Sequence, residues 1–453
     1  MVKSQKFPYF LIVLLTILIL NIMVIRVKPA NASTPKLTFT PLQILVKEES
    51  NFTVQAQILD SPPFTMFWII IAYNPTFIDA LNATTWPDGY INIDKEQGKI
   101  DVSATTTQSL QGNQTLATIT FKAVQSGNTT LQFESSEIYD PQLNPITHIA
   151  ETAQVEIVGP LNLAIAYSQP IYLEQYLTIY ANLTMKETPI NSLLGVEIVS
   201  PKNTTVMTRV LGSVTGDYPI QILTFYPSDQ YGNPKNTFTV NYQAYFTTRV
   251  QNLKNETLPI LIVINVLDRY DTPIGFTICQ TSIYRLSELL FIGPVLIRDY
   301  AFNGTAKAYI NIFSEWPRNW GIPYCREESV TFQIINGVTK TPLFIPSDNP
   351  IKAQYNLTLR LPLSTGKGNY TIYATSTYKV QNAYNTTTLQ ARLICDFNND
   401  GKVGPYDFTI FALSYGSTQK DPNWLPEADY DKNQKIGPYD FTVLAINYGK
   451  YVK

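Results

Sequence analysis

The sequence predicts a mainly β protein: several β-sandwich domains in a row, then a small α-helical module. Three observations carry this. At 453 residues the chain exceeds what a single core spans. From residue 36 to 392 it is written in short runs alternating apolar and polar side chains, broken by Gly, Pro, Asn and Asp, with Tyr, Thr, Val and Ile prominent. The end of the chain then writes DFNNDGKVGPYDF at 396–408 and DYDKNQKIGPYDF at 429–441, each followed by a helical pattern.

The first 32 residues stand apart from the fold. MVKSQKF carries Lys3 and Lys6, a long apolar run follows, and KPANA places Ala30 and Ala32 as a signal peptidase requires. We expect a signal peptide, 1–32, cleaved after Ala32; an uncleaved anchor is the alternative, because the run approaches bilayer-spanning length. Either way the remainder is expected outside the cytoplasm, secreted or at the cell surface, and no second apolar run provides a later span. Twelve N-x-S/T sequons agree with export: Asn31, Asn51, Asn82, Asn113, Asn128, Asn182, Asn203, Asn255, Asn303, Asn356, Asn369 and Asn385. They stop before residue 396, so a host that glycosylates Asn would coat the body and leave the terminal module bare. Of the three cysteines, Cys279 and Cys325 are the expected disulfide pair, the alternative being two small buried apolar side chains.

Residues 36–158 contain NFTVQAQIL, TMFWIIIAYNP, GKIDVSA, TLATITFKAV, TTLQFES and AQVEIV, six strand-like runs with no helical period between them. That predicts a β-sandwich. The order of landmarks is more specific: WIIIAYNPTFIDA, a buried strand with a Tyr-x-Pro turn; LATITFKAVQSGNTTLQF, strand, glycine turn, strand; and IYDPQLNPI before the last strand. In these the segment resembles a cohesin module, with other carbohydrate-binding or immunoglobulin-like sandwiches as the alternative.

Residues 160–392 read as two further sandwiches in an awkward order. PIYLEQYLTIYANLT and LLGVEIVSPKNTTVMTRVL open a domain similar to immunoglobulin-like or macroglobulin-like sandwiches, but its closing strands come late, in YNLTLRLPLSTGKGNYTIYATSTYKV and TTTLQARL. We expect a discontinuous domain, 161–230 plus 340–392, with a second sandwich, 236–337, inserted at the loop SDQYGNPKN. Two consecutive domains are the competing reading.

In the terminal repeats, oxygen-bearing side chains stand at loop positions 1, 3, 5 and 12: Asp396, Asn398, Asp400 and Asp407, then Asp429, Asp431, Asn433 and Asp440. With the position-7 carbonyls of Lys402 and Lys435 they form two candidate Ca2+ sites, since oxygens at this spacing converge on one hard cation. Gly401 fits the sharp turn at position 6; Gln434 replaces it in the second loop, and a side chain at left-handed φ costs about 1–2 kcal/mol. The second site is therefore expected to be the weaker. Val403 and Ile436 are expected to pair the loops, and Phe408, Phe411, Ala412 and Tyr415 to share one face of the first helix.

The duplicated loop with Asp at position 12, one exiting helix per repeat and no entering helix resembles a type I-like dockerin module, over about 394–453. The resemblance implies a cohesin-bearing partner, chosen largely at loop positions 10 and 11, here Pro405, Tyr406, Pro438 and Tyr439. These differ from the small or hydroxyl residues common there, which leaves the partner's identity open.

Signs of chemistry are few. His148 is the lone histidine, and no nucleophile elbow, zinc motif, P-loop or dinucleotide fingerprint occurs. A net charge of −2 gives no footprint for nucleic acid. Trp316, Trp320 and Tyr324 could stack on sugar rings, or could belong to a loop pinned on its sandwich. The expectation is a non-catalytic scaffold or adhesion protein acting through calcium-dependent cohesin–dockerin recognition, bridging other proteins or meeting its own copies head-to-tail. A subunit of a polysaccharide-degrading complex and an S-layer-like structural glycoprotein are the alternatives.

Overall fold

The computed structural model describes residues 34–214, 216–346 and 351–452. The expected signal peptide and Asn31 lie outside the described residues. The fold is mainly β, with two α-helices near the C-terminus among the described residues, and no described helix is long and apolar enough to cross a membrane. The chain divides between Ile157 and Val158 into two compact units.

The first unit is a two-layered sandwich of nine strands: β1 Lys36–Thr40, β2 Gln43–Lys47, β3 Asn51–Ala72, β4 Ile78–Thr85, β5 Tyr90–Asp94, β6 Lys99–Ala123, β7 Gly127–Tyr139, β8 Ile149–Ala150 and β9 Ala153–Val158. The front of β3 and the back of β6 lie between β1 and β4, with β8 beside β1. The back of β3 and the front of β6 lie between β7 and β5, with β9 and then β2 beyond β7. The sequence reads NFTVQAQIL and TMFWIIIAYNP as separate strands, and likewise GKIDVSA and TLATITFKAV; the structure joins each pair into one bent strand. The register shifts between Ile58 and Met66, where Pro62 and Pro63 stand in β3 and Gly112, at φ 72, stands opposite. Irregularities of this kind bend a ladder without ending it. Beyond the bend the strand alternation resumes. Val54, Ala56 and Ile58 from one layer meet Phe67, Ile69 and Ile71 from the other in a single core.

The second unit carries β10 Leu161–Tyr167, β11 Tyr176–Met185, β12 Thr188–Pro189, β13 Leu194–Val199, β14 Thr205–Leu211, β15 Ile220–Ser228, β16 Thr237–Thr239, β17 Gln243–Asn252, β18 Leu258–Leu267, β19 Pro273–Ile283, β20 Glu288–Leu296, β21 Gly304–Phe313, β22 Glu328–Ile335, β23 Tyr355–Arg360, β24 Gly368–Tyr378 and β25 Gln381–Ala391. β11 pairs β23, and β13 pairs β24, so ladders join residues 176–199 to residues 355–378. Their sheets enclose one core, built from Leu177, Ile179, Val196 and Ile198 with Leu357, Leu359, Tyr370 and Ile372. Between them in sequence, β15-β17-β20 and β16-β22-β21-β18-β19 form two sheets around a separate core that includes Ile220, Phe246, Ile262 and Ile310. One boundary differs from expectation. The sequence pattern places β15 with 161–230, yet it pairs β17 and its Ile220 and Ile222 enter the second core; the change of sandwich falls after Leu211.

The two sandwiches of this unit are fastened to each other. Leu193 and Val210 of one pack on Leu261, Val263 and Phe313 of the other. Arg209 grips Glu327 through Nε at 2.7 Å and Nη2 at 2.6 Å. The buried amide of Thr208 donates to Asn265 Oδ1 at 3.1 Å.

Candidate calcium centre

The two terminal loops hold α1 Pro405–Ser414 and α2 Pro438–Asn447. Each helix starts where a loop ends, with Pro at its first position and Asp407 or Asp440 two residues further on. Asp407 Oδ2 accepts the Gly404 amide at 2.8 Å, and Asp440 Oδ2 accepts that of Gly437 at 2.8 Å. The position-12 carboxylate therefore both caps a helix and reaches back into its loop: Asp407 Oδ1 accepts from Phe397 at 2.7 Å, and Asp440 Oδ1 from Tyr430 at 2.6 Å. Both aspartates are fully buried.

The expected ligands come together. Oxygens of Asp396, Asp400 and Asp407 lie within 4.8 Å of one another, as do those of Asp429, Asp431 and Asp440. Asn398 and Asn433 lie at the rims: Asn398 Nδ2 donates to Asp400 Oδ2 at 2.9 Å, and Asn433 Nδ2 to Asp431 Oδ2 at 2.8 Å. The Lys402 amide donates to Asp400 Oδ1 and the Lys435 amide to Asn433 Oδ1, both at 2.8 Å. One oxygen tests the fit. Asp396 Oδ1 is buried and has no hydrogen-bond partner, while Oδ2 accepts the Gly401 amide at 2.9 Å. A buried bare carboxylate oxygen beside two further carboxylates suits a hard cation. In the second loop, burial and the neighbouring Asp431 carboxylate raise the pKa of Asp429 above the usual range.

The loops differ in backbone strain. Positions 4 and 6 are left-handed in both. The first loop places there Asn399 at φ 59 and Gly401 at φ 88, residues that accept this conformation; the second places Lys432 at φ 57 and Gln434 at φ 67.

Closure of the loops corrects one expectation. Val403 and Ile436 do not pair with each other. The Val403 amide donates to the Lys450 carbonyl at 2.9 Å, beyond α2, and the Ile436 amide to the Ser417 carbonyl at 3.0 Å, beyond α1. Each loop is thus closed by the segment that leaves the other repeat's helix. Bridges Lys402↔Tyr451 and Thr418↔Lys435 repeat this relation. Antiparallel pairing turns the Lys402 and Lys435 carbonyls away from those segments, toward the loops.

The apolar face expected on α1 is split between core and surface. Phe411 and Ser414 are buried, whereas Phe408, Ala412 and Tyr415 face outward. The exposed apolar side chains recur in α2: Phe408, Leu413 and Tyr415 match Phe441, Ile446 and Tyr448, all between 37% and 71% exposed. A groove lined by Pro405, Phe408, Phe441, Leu444 and Tyr448 runs between them. Of the candidate partner-binding residues, Pro405, Tyr406 and Pro438 are exposed, while Tyr439 is half-buried against the module's core.

The module is seated on the preceding sandwich. Tyr172, Leu343, Ile345 and Leu363 pack against its core of Leu393, Val403, Phe411, Tyr430 and Leu444. Lys450 pairs with Glu174, which also pairs with the buried Arg360 at 3.2 Å. Lys367 reaches the first loop, donating to Asp396 Oδ2 at 3.1 Å, the Asn399 carbonyl at 2.6 Å and Asn399 Oδ1 at 3.0 Å. Sequence reasoning missed this lysine, because nothing local in STGKGNY points to a loop 29 residues away.

Elsewhere the candidates make contacts within the fold, although Trp320 is 61% exposed. The segment 313–328 latches the two sandwiches. Arg318 Nε donates to the buried Glu197 at 3.0 Å, the Thr375 hydroxyl donates to the Gly321 carbonyl at 2.7 Å, and Trp320 meets Tyr384 edge-on. Cys279, Cys325 and Cys395 are all free thiols, and the expected Cys279–Cys325 bridge is not formed. Instead Cys325 is buried in the core of residues 220–334 and Cys279 packs against it. His148 bonds to Ser136 Oγ and to the Ile146 carbonyl, each at 2.8 Å, which ties the 140–148 loop to β7. Of the sequon asparagines described, Asn303 is half-buried and the rest are exposed.

No protein-family model matches the chain, and no curated protein does. Solved structures similar to it include a type I cohesin–dockerin complex from Clostridium thermocellum, with 14% identity over 28% of this chain and 94% of that one, TM-score 0.26. A non-cellulosomal cohesin from the archaeon Archaeoglobus fulgidus shows 15% identity over 28% of this chain and 92% of its own, TM-score 0.26. A cohesin module from a Clostridium perfringens family 33 glycoside hydrolase shows 15% identity over 26% and 91%, TM-score 0.23.

Proposed function

We propose that this is an exported, non-catalytic scaffold or adhesion protein that works by calcium-dependent recognition between a cohesin-like front sandwich and dockerin-like terminal modules. The observation that carries the reading is the duplicated acidic loop, with the bare buried Asp396 Oδ1 in its first copy. Calcium would be held by Asp396, Asn398, Asp400, the Lys402 carbonyl and Asp407, and again by Asp429, Asp431, Asn433, the Lys435 carbonyl and Asp440. It would supply the positive charge that lets three carboxylates share one small loop. The chain's own residues do the rest: Asp407 and Asp440 start the helices, and the helices present Phe408, Tyr415, Phe441 and Tyr448 to a partner. The partner proposed is a cohesin-like sheet face, on another protein or another copy of this chain. Head-to-tail contact of that kind propagates instead of closing.

The test uses the two compact units. Residues 34–157 are titrated into residues 158–453 in a calorimeter, first with calcium, then with chelator. Heat that needs calcium supports self-recognition. Calcium binding to 158–453 without heat from the front unit moves the partner to another protein. Failure of 158–453 to bind calcium overturns the reading.

A further inference from the structure

We infer that Lys367, supplied by the sandwich and not by the terminal module, is a resident counter-cation of the first calcium loop and lowers that loop's calcium affinity. The inference rests on the calcium reading above. Lys367 stands between Gly366 at φ 90 and Gly368 at φ 126, a turn that only glycines make without strain. Its stem lies over Gly401, where a Cβ would meet Lys367 Cε at 3.5 Å. From there the ammonium takes three acceptors of the loop, Asp396 Oδ2, the Asn399 carbonyl and Asn399 Oδ1.

Two consequences follow from Asp396, whose side chain is only 2% exposed. Its Oδ2 is committed to Lys367 and Gly401, while its Oδ1 has no partner. A cation on Oδ1 would share one carboxylate with the ammonium on Oδ2, and two cations on one buried anion repel each other. Without calcium, by contrast, the ammonium relieves the repulsion among Asp396, Asp400 and Asp407 and keeps the loop seated on the sandwich. Linkage makes the effect reciprocal: what Lys367 takes from calcium affinity, calcium takes from the clamp. Lys450–Glu174 and the apolar contact of Tyr172 and Leu343 remain as a hinge. Calcium thus loosens one edge of the module's seat.

Calcium titration of the whole chain, wild type against Lys367→Met and Lys367→Arg, tests this. Lys367→Met should tighten one of the two sites about tenfold, within the usual range of coupling between sites, and leave the other unchanged; Lys367→Arg should stay near wild type. Amide hydrogen exchange on the wild-type chain is the second measurement and needs no variant to fold: residues 364–368 should exchange faster with calcium than with chelator. Unchanged or weaker calcium binding in Lys367→Met, or slower exchange at 364–368 with calcium, overturns the inference while leaving the calcium reading intact. Absence of calcium binding at both loops in the wild type overturns both.

Discussion

At the residue scale, the same thirteen-letter motif is written once with residues suited to its backbone and once without. Asn399 and Gly401 occupy left-handed positions that Lys432 and Gln434 must occupy in the second copy. Gln434→Gly should therefore tighten the second calcium site about tenfold, the equivalent of about 1.4 kcal/mol of relieved strain. A calorimetric affinity that does not move would show that strain does not set the difference. The thiols give a second check. Burial pushes Cys325 and Cys395 up to about 12, and raises half-exposed Cys279 less far. At pH 8 the folded protein should take up one alkyl group, at Cys279, before any at Cys325 or Cys395, because only the thiolate reacts. Mass spectrometry of the peptides reads this directly.

At the element scale, exchange of closing segments makes each loop depend on the far end of the other repeat. Removing residues 450–453 deletes the Val403–Lys450 and Gly401–Val452 hydrogen bonds and the Lys450–Glu174 pair. A loss of about 2 kcal/mol is expected, from two backbone bonds at about 1 kcal/mol each, with the first calcium site weakened more than the second. Thermal denaturation in excess calcium and a calcium titration measure the two effects. On the helices, Phe408→Ser with Phe441→Ser should abolish partner binding and change stability by less than about 0.5 kcal/mol each, the usual range for surface positions. The helices also show what the sequence could not convey. In α1 the more apolar stripe, Phe408, Ala412 and Tyr415, is the one left outside. The Phe397 and Gly404 amides draw Asp407 inward, and it carries Phe411 and Ser414 in with it, a choice no hydrophobic pattern shows. The ligand spacing was legible because it is local. The continuity of β3 was not, since Pro62 and Pro63 read as a break when their ladder partners around Gly112 lie 50 residues away. Lys367 was invisible for the same reason.

At the scale of the whole molecule, the strand order of residues 160–392 suggested that early and late strands belong together, because the closing pattern GNYTIYATSTY came so far from its opening. The change of sandwich near residue 211 was less legible, since β14 and β15 are both amphipathic and nothing local marks which core each joins. The seam between the sandwiches depends on Glu197, fully buried and held by Arg318. Arg318→Ala leaves that carboxylate uncompensated and should cost about 3 kcal/mol, read in calorimetry of residues 158–453 as a lower unfolding midpoint than that of the wild-type fragment. A seam of this kind also governs how the protein carries load. A pull applied between the front unit and the terminal module enters at Leu161 and leaves at Arg392, whose amide and carbonyl bond to Ile171 and Leu173. Tension therefore runs through the outer sandwich alone. The inserted sandwich, residues 220–335, lies off that path as a slack reserve, and in a stretching experiment it should lengthen the tether only after the outer sandwich has torn.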